Sequence, residues 1–108
     1  MSEHAIYLIG YANRDKHANS EGRFPVKIGC CRGGASDPYI AVKSRLKAFQ
    51  IGSPYKLEIY SSVKTNGTSV AVEKNIHDRL NAMDRHIMGE WYWLDNDDLC
   101  EITEQAKE

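Results

Sequence analysis

Apolar and polar positions alternate with a period of two at the start of this chain. In the run Ala5-Ile6-Tyr7-Leu8-Ile9-Gly10-Tyr11, Tyr7, Ile9 and Tyr11 fall on one side of an extended strand, and Ile6 and Leu8 on the other. Residues 12–23 are polar and turn-like and read as a long hairpin connection. Phe24 to Cys30 reads as a second strand, with Phe24, Val26 and Ile28 on one face and Lys27 and Gly29 on the opposite one. Arg32-Gly33-Gly34-Ala35-Ser36 follows as a flexible loop. The period then lengthens. Asp37-Pro38 offers an N-cap and a first-turn proline, Val42, Leu46 and Phe49 recur at helical spacing, and Gly52 and Pro54 end the helix. Leu57 and Ile59 mark a third strand, Asn66-Gly67 a turn, and Ser69 a cap. Val72, Ile76, Leu80 and Met83 form the apolar stripe of a second helix. Trp91 to Leu94 is a short extended segment, and Asp95 to Asp98 cap a last helix that buries Leu99 and Ile102.

Strand, strand, helix, strand, helix, helix describes an α+β fold, a small antiparallel sheet with helices packed on it. At 108 residues, with no internal repeat, the chain is expected to be one domain with a small core. No apolar run is long enough to span a membrane, and the N-terminus lacks a signal-peptide pattern, so the chain reads as cytoplasmic. Cys30 and Cys31 are adjacent and Cys100 stands alone. That spacing suits neither a disulfide framework nor a metal cage and reads as three plain thiols.

The formal net charge of −1 gives no sign of a polyanion partner, but its distribution does. Residues 1–89 carry 13 Lys+Arg against 8 Asp+Glu, while residues 90–108 carry Lys107 alone against 7 acidic residues. A basic body with an acidic C-terminal segment at about 95–108 suggests a polyanion site held away from the C-terminus. A solvated acidic helix without a role is the bland alternative.

Several residues carry possible chemistry. Glu73 interrupts an otherwise apolar helical stretch, and a single carboxylate can hold Mg²⁺ when water and substrate phosphate supply the other ligands. His77 lies one helical turn on, on the same helix face, where it either contacts the carboxylate or a phosphate or simply supports the helix. Arg45 sits off the apolar stripe of the first helix, and a guanidinium can grip a phosphate through two donors. Lys43 and Lys47 flank it as candidates for a basic approach surface. Lys27 offers an ammonium on the sheet face opposite Val26 and Ile28. Tyr7 offers a phenol, a poor base at its free pKa of about 10 unless a neighbouring cation lowers it. The structural alternatives are ordinary ones: a strand aromatic, a solvated lysine, an exposed arginine and a surface glutamate.

Tyr7 in Ile6-Tyr7-Leu8-Ile9, Lys27-Ile28-Gly29, Arg45, Glu73 with His77, and Gly89-Glu90-Trp91-Tyr92 occur in a fixed order that resembles the GIY-YIG nuclease superfamily, in particular its small branch found in phage, bacterial and fungal proteins. The resemblance covers roughly residues 5–94. It departs from the family pattern at Ala5, where glycine is usual, and at Lys27, which stands where the second motif has tyrosine. It implies a three-stranded antiparallel sheet flanked by helices. It also implies a metal-dependent DNA endonuclease using Mg²⁺ or Mn²⁺ held by Glu73, with Tyr7, Lys27, Arg45 and His77 catalytic. Lys27, Lys43, Arg45 and Lys47 are then expected to contact DNA. Trp91 is expected in the core, Tyr92 or Trp93 as a surface for a base, and Asn96 as a weak candidate for the family's late asparagine. A homodimer or a protein partner would supply specificity, and the size suits a stand-alone phage or mobile-element protein. The rival expectation is a catalytically weak or inactive nucleic-acid- or protein-binding module on the same fold, favoured by the near-neutral charge.

Overall fold

A computed structural model describes residues 3–34, 38–65 and 69–107. Its elements are β1 (Glu3–Tyr11), a short 3-10 turn (Arg14–His17), β2 (Phe24–Gly34), α1 (Pro38–Ile51), β3 (Leu57–Thr65), α2 (Ser69–Ala82), β4 (His86–Met88), β5 (Trp91–Leu94) and α3 (Asn96–Ala106). The strands form one antiparallel sheet in the order β3-β1-β2-β5-β4. The α+β class holds, but the sheet has five strands where three were expected. The two additional strands form a hairpin near the C-terminus. Gly89 turns it at φ 56°, a left-handed conformation that favours glycine. The His86 ring closes it by donating to the Gly89 carbonyl at 2.9 Å.

The alternation in β1 sorts its side chains onto two apolar layers. Ala5, Tyr7 and Ile9 pack with Cys31, Val42 and Leu57 beneath α1. Ile6 and Leu8 pack on the opposite face with Phe24, Val26, Ile28, Ile76, Leu80 and Ile102, beneath α2 and α3. Helices cover both faces, so β1 is apolar at every position from Ala5 to Ile9 and fully buried there. Two-sided burial fixes register, because a one-residue slip would exchange both sets. In the observed register Tyr7 faces Gly29, Ile9 faces Lys27, and Lys27 faces Trp91 on the next strand.

The second strand runs to Gly34, further than the Gly-rich sequence suggested, because β1 starts at Glu3 and offers partners that far. The remainder of that expected loop, with the Asp37 cap and the Asn66-Gly67 turn, lies outside the described residues. Helix α1 ends at Ile51, just before Gly52, and buries Val42 with Leu46 and Phe49 partly covered, as the spacing indicated. Met83, expected on the α2 stripe, is 42% exposed and lies beyond the helix. There Asp84 turns left-handed at φ 57°, and the Arg85 N–H donates back to the Leu80 carbonyl at 3.0 Å, a Schellman-type stop. Asp95 caps α3 in a reciprocal capping box with Asp98. Cys30, Cys31 and Cys100 form no disulfide.

Candidate active site

Tyr7 is the middle of the candidate site. Its side chain is almost wholly buried, at 1% exposure, under α1. Its phenol lies across Gly29 on β2: a Cβ there would meet the Oη, Cζ and Cε1 atoms of Tyr7, the last at 3.0 Å. Gly29 is therefore required by close approach of a neighbouring ring. Burial pushes the Tyr7 pKa well above its ordinary value; Glu90 adds to the rise, Arg45 opposes it, and Cys31 and Glu73 raise it further. These influences identify the charged surroundings. A cation from α1, a carboxylate from α2 and a carboxylate from the β4–β5 turn all act on one phenol.

The elements bring those groups together by simple means. Arg45 projects from α1 off its apolar stripe, exposed to solvent, and pairs with no carboxylate among the described residues. Its charge also lowers the pKa of the Cys31 thiol, which burial pushes up more strongly. Glu73 comes from the second turn of α2, and its side chain is only 15% exposed. The His77 Nε2 lies 3.8 Å from its Oε1, too long for a hydrogen bond. The His77 Nε2 lies 3.0 Å from the Ile28 carbonyl, and a carbonyl can only accept, so Nε2 carries the proton and donates. The same ring packs 5.2 Å from Tyr92. His77 thus ties α2 to β2.

Lys27 points to the α1 side of the sheet, as its alternation required. Its ammonium lies 3.3 Å from Glu90 Oε1 and 4.8 Å from the centre of the Phe49 ring. Glu90 is anchored in turn by its own backbone carbonyl, which accepts from the Ile28 N–H at 3.0 Å. In the sequence Glu90 stands only as a member of Gly89-Glu90-Trp91-Tyr92, with no role of its own. Its position at the β4–β5 turn, directly after the left-handed Gly89, emerges only in the fold.

The other expectations divide. Lys43 and Lys47 are exposed on α1, and the Lys43 ammonium rests 4.8 Å over the Tyr39 ring. Trp91 is half-buried and stacks on Tyr11 with ring centres 5.8 Å apart. Tyr92 is buried in the α2/α3 layer, so it offers no face to a base; Trp93 is half-buried and lines an open cleft with Tyr11 and Met88. Asn96 opens α3, whose buried side packs on the face opposite Tyr7.

The donor set decides which ion suits these residues. Among the described residues no three His, Cys, Asp or Glu side chains assemble into an ion cage. Glu73 and Glu90 are carboxylates whose charges both act on one phenol. Oxygen donors in such small number fit a hard cation that keeps several waters, and do not fit an ion requiring four protein ligands. Two cations, two carboxylates and a phenol in one place can bind a phosphate, orient a water and move a proton.

No curated protein and no solved structure matches this chain. Among the described residues no helix is long and apolar enough to cross a membrane. The family model of the T5orf172 domain matches residues 4–107. That domain is found in phage and bacterial proteins and is often nuclease-like. With nearly its whole length matched, from the start of β1 to the end of α3, this chain belongs to the T5orf172 domain family.

Proposed function

We propose that the protein is an endonuclease that hydrolyses DNA phosphodiester bonds with Mg²⁺ or Mn²⁺, in the manner of the GIY-YIG enzymes its motifs resemble. The observation that carries this reading is that Arg45, Glu73 and Glu90, from three separate elements, all act electrostatically on the buried phenol of Tyr7, while Lys27 pairs with Glu90 at 3.3 Å.

Glu73 would hold the ion, which supplies charge to polarise the phosphate and stabilise the leaving oxygen. Arg45 is solvent-exposed with no described carboxylate partner, and grips the phosphoryl oxygens as charge develops on them. Lys27 binds the neighbouring phosphate once Glu90 releases it. Tyr7, with its pKa raised, is a protonated phenol at neutral pH. Its Oη orients the attacking water and relays that water's proton while passing its own toward Glu90, whose charge acts on it most strongly. His77 is a positioning residue: its bond to Ile28 fixes the turn of α2 that carries Glu73. Lys43 and Lys47 extend the basic approach along α1.

The test is cleavage of supercoiled plasmid, single-stranded DNA and branched DNA with Mg²⁺ or Mn²⁺, beside Glu73→Ala and a chelator control. Cutting that vanishes in both controls supports the reading. Folded protein that cuts none of these substrates moves the function to a nucleic-acid- or protein-binding module on the same fold.

A further inference from the structure

The face of the sheet that carries Tyr7 continues into a second set of residues that the hydrolytic chemistry does not use. Antiparallel partners point to the same side, so the rows run Tyr7 and Gly29, then Ile9, Lys27 and Trp91, then the Pro25–Trp93 pair beside Tyr11. Tyr11 lies four residues from Tyr7, roughly 13 Å at about 3.3 Å per residue.

Around Tyr11 the surface opens into two adjoining clefts. One, of about 600 Å³, is lined by Tyr11, His17, Tyr55, Lys16 and Lys56 among others. The other, of about 390 Å³, shares Tyr11 and is lined by Lys27, Phe49 and Trp91. Tyr11 is the hinge of an aromatic shelf: it stacks on His17 at 4.2 Å with planes 28° apart, and on Trp91 at 5.8 Å with planes 19° apart. Tyr55 stands edge-on to both Tyr11 and His17 and is 55% exposed. Such exposure is more than core packing requires of a large aromatic. Lys16, Lys27 and Lys56 give the walls of these two clefts their charge.

We propose that this shelf is a stacking subsite for unpaired bases of the strand whose backbone passes through the Tyr7 site, so that the substrate class is DNA with a single-stranded segment beside the cut. The inference rests on the nuclease reading for the direction of the strand. Aromatic faces flanked by lysines are the chemistry of single-strand binding: bases stack on the rings and the backbone follows the cations. Bases inside a duplex have their faces covered by their neighbours and gain nothing from such a shelf. Lys27 belongs to both places, since it lines the nearer cleft and pairs with Glu90 beside Tyr7. The 600 Å³ cleft lies within the range of about 300–1,000 Å³ usual for small-molecule sites, large enough for a base and its sugar.

Both tryptophans of the chain, Trp91 and Trp93, lie on this face, so their emission reports occupancy. The experiment titrates a short oligothymidylate, and a duplex of equal length, into wild type and Glu73→Gln without divalent metal. The expected result is quenching of emission, single strand bound at least about fivefold more tightly than duplex, and loss of about tenfold in single-strand affinity in Tyr55→Ala, the loss of one stacked base. Tyr11→Leu, which keeps an apolar side chain in the strand but removes the ring between His17 and Trp91, should also weaken single-strand binding, whereas Arg79→Ala on the distant α2 surface should lose nothing. Equal affinity for duplex and single strand, or unchanged affinity in both aromatic variants, overturns the subsite and points the shelf toward a protein partner. Shelf-dependent binding without cleavage on adding Mg²⁺ supports the subsite and refutes the nuclease reading. Cleavage that persists with no shelf-dependent binding does the reverse.

Discussion

Two clusters of charge sit in this small protein, and they are built differently. Where α3 meets the hairpin, the Arg85 guanidinium reaches Asp98 at 2.5 Å and the Trp93 carbonyl at 3.1 Å. Asp98 also accepts from the Asp95 N–H at 3.0 Å. Both side chains are buried and their main bonds are short and specific. Around Tyr7 the pairs are looser: 3.3 Å from Lys27 to Glu90 and 3.8 Å from His77 to Glu73. Arg45 has no carboxylate partner among the described residues. Charges that neutralise one another hold a fold together. Charges held near one another but incompletely matched are ready for a ligand that brings its own charge.

The contrast is breakable by substitution. The largest effect belongs to Asp98→Ala, which strands a buried guanidinium and should lower stability by about 3–5 kcal/mol in denaturant titration, with cleavage unchanged where the variant is folded. The same pair has a pH signature. Burial opposes ionisation of Asp98, but the Asp95 N–H and the Arg85 guanidinium outweigh it and hold its carboxyl below the usual range. A carboxylate lowered in the folded state stabilises fully above its unfolded value of about 3.9 and loses that contribution as pH falls through the folded value. The stability gap between wild type and Asp98→Asn should therefore close on acidification below about pH 3.9.

Gly29→Ala comes next. The added methyl collides with the Tyr7 ring and should cost about 1–3 kcal/mol, with cleavage falling further than the stability loss explains because the phenol is displaced. Arg45→Ala and Tyr7→Phe should each slow single-turnover cleavage at least about tenfold, or about 1.4 kcal/mol of barrier. Arg45→Ala should leave stability within about 0.5 kcal/mol, since the side chain is exposed. The smallest effect is Asp84→Gly, which relieves a left-handed aspartate at the end of α2 and should raise stability by up to about 1 kcal/mol, with no change in cleavage.

The parts of this fold that were legible in the sequence are those buried on both sides. Ile6, Tyr7, Leu8 and Ile9 had to alternate, and Val42 and Ile76 had to fall on helical stripes, because each position packs against a covered layer. The β4–β5 hairpin was not legible as two strands. His86, Ile87 and Met88 are all exposed, so nothing in their pattern distinguishes inside from outside. The end of α2 escaped for a related reason: Met83 continues the apolar period, while the stop is set by an aspartate in a conformation usually left to glycine. In the site, Tyr7 and Glu73 could be nominated from order along the chain. Glu90 could not, because its importance depends on a hairpin that brings its carboxylate beside Lys27. Tyr92 and Trp93 are adjacent in a strand and necessarily face opposite ways, which is why one is core and the other lines a cleft.

The most direct measurement of the central claim is cleavage of supercoiled and branched DNA with Mg²⁺ by wild type, Glu73→Ala and Arg45→Ala, each shown folded by circular dichroism. The account predicts cutting by wild type, none above background by Glu73→Ala, and a rate lowered at least about tenfold in Arg45→Ala. Glu73→Ala cutting as fast as wild type would contradict it.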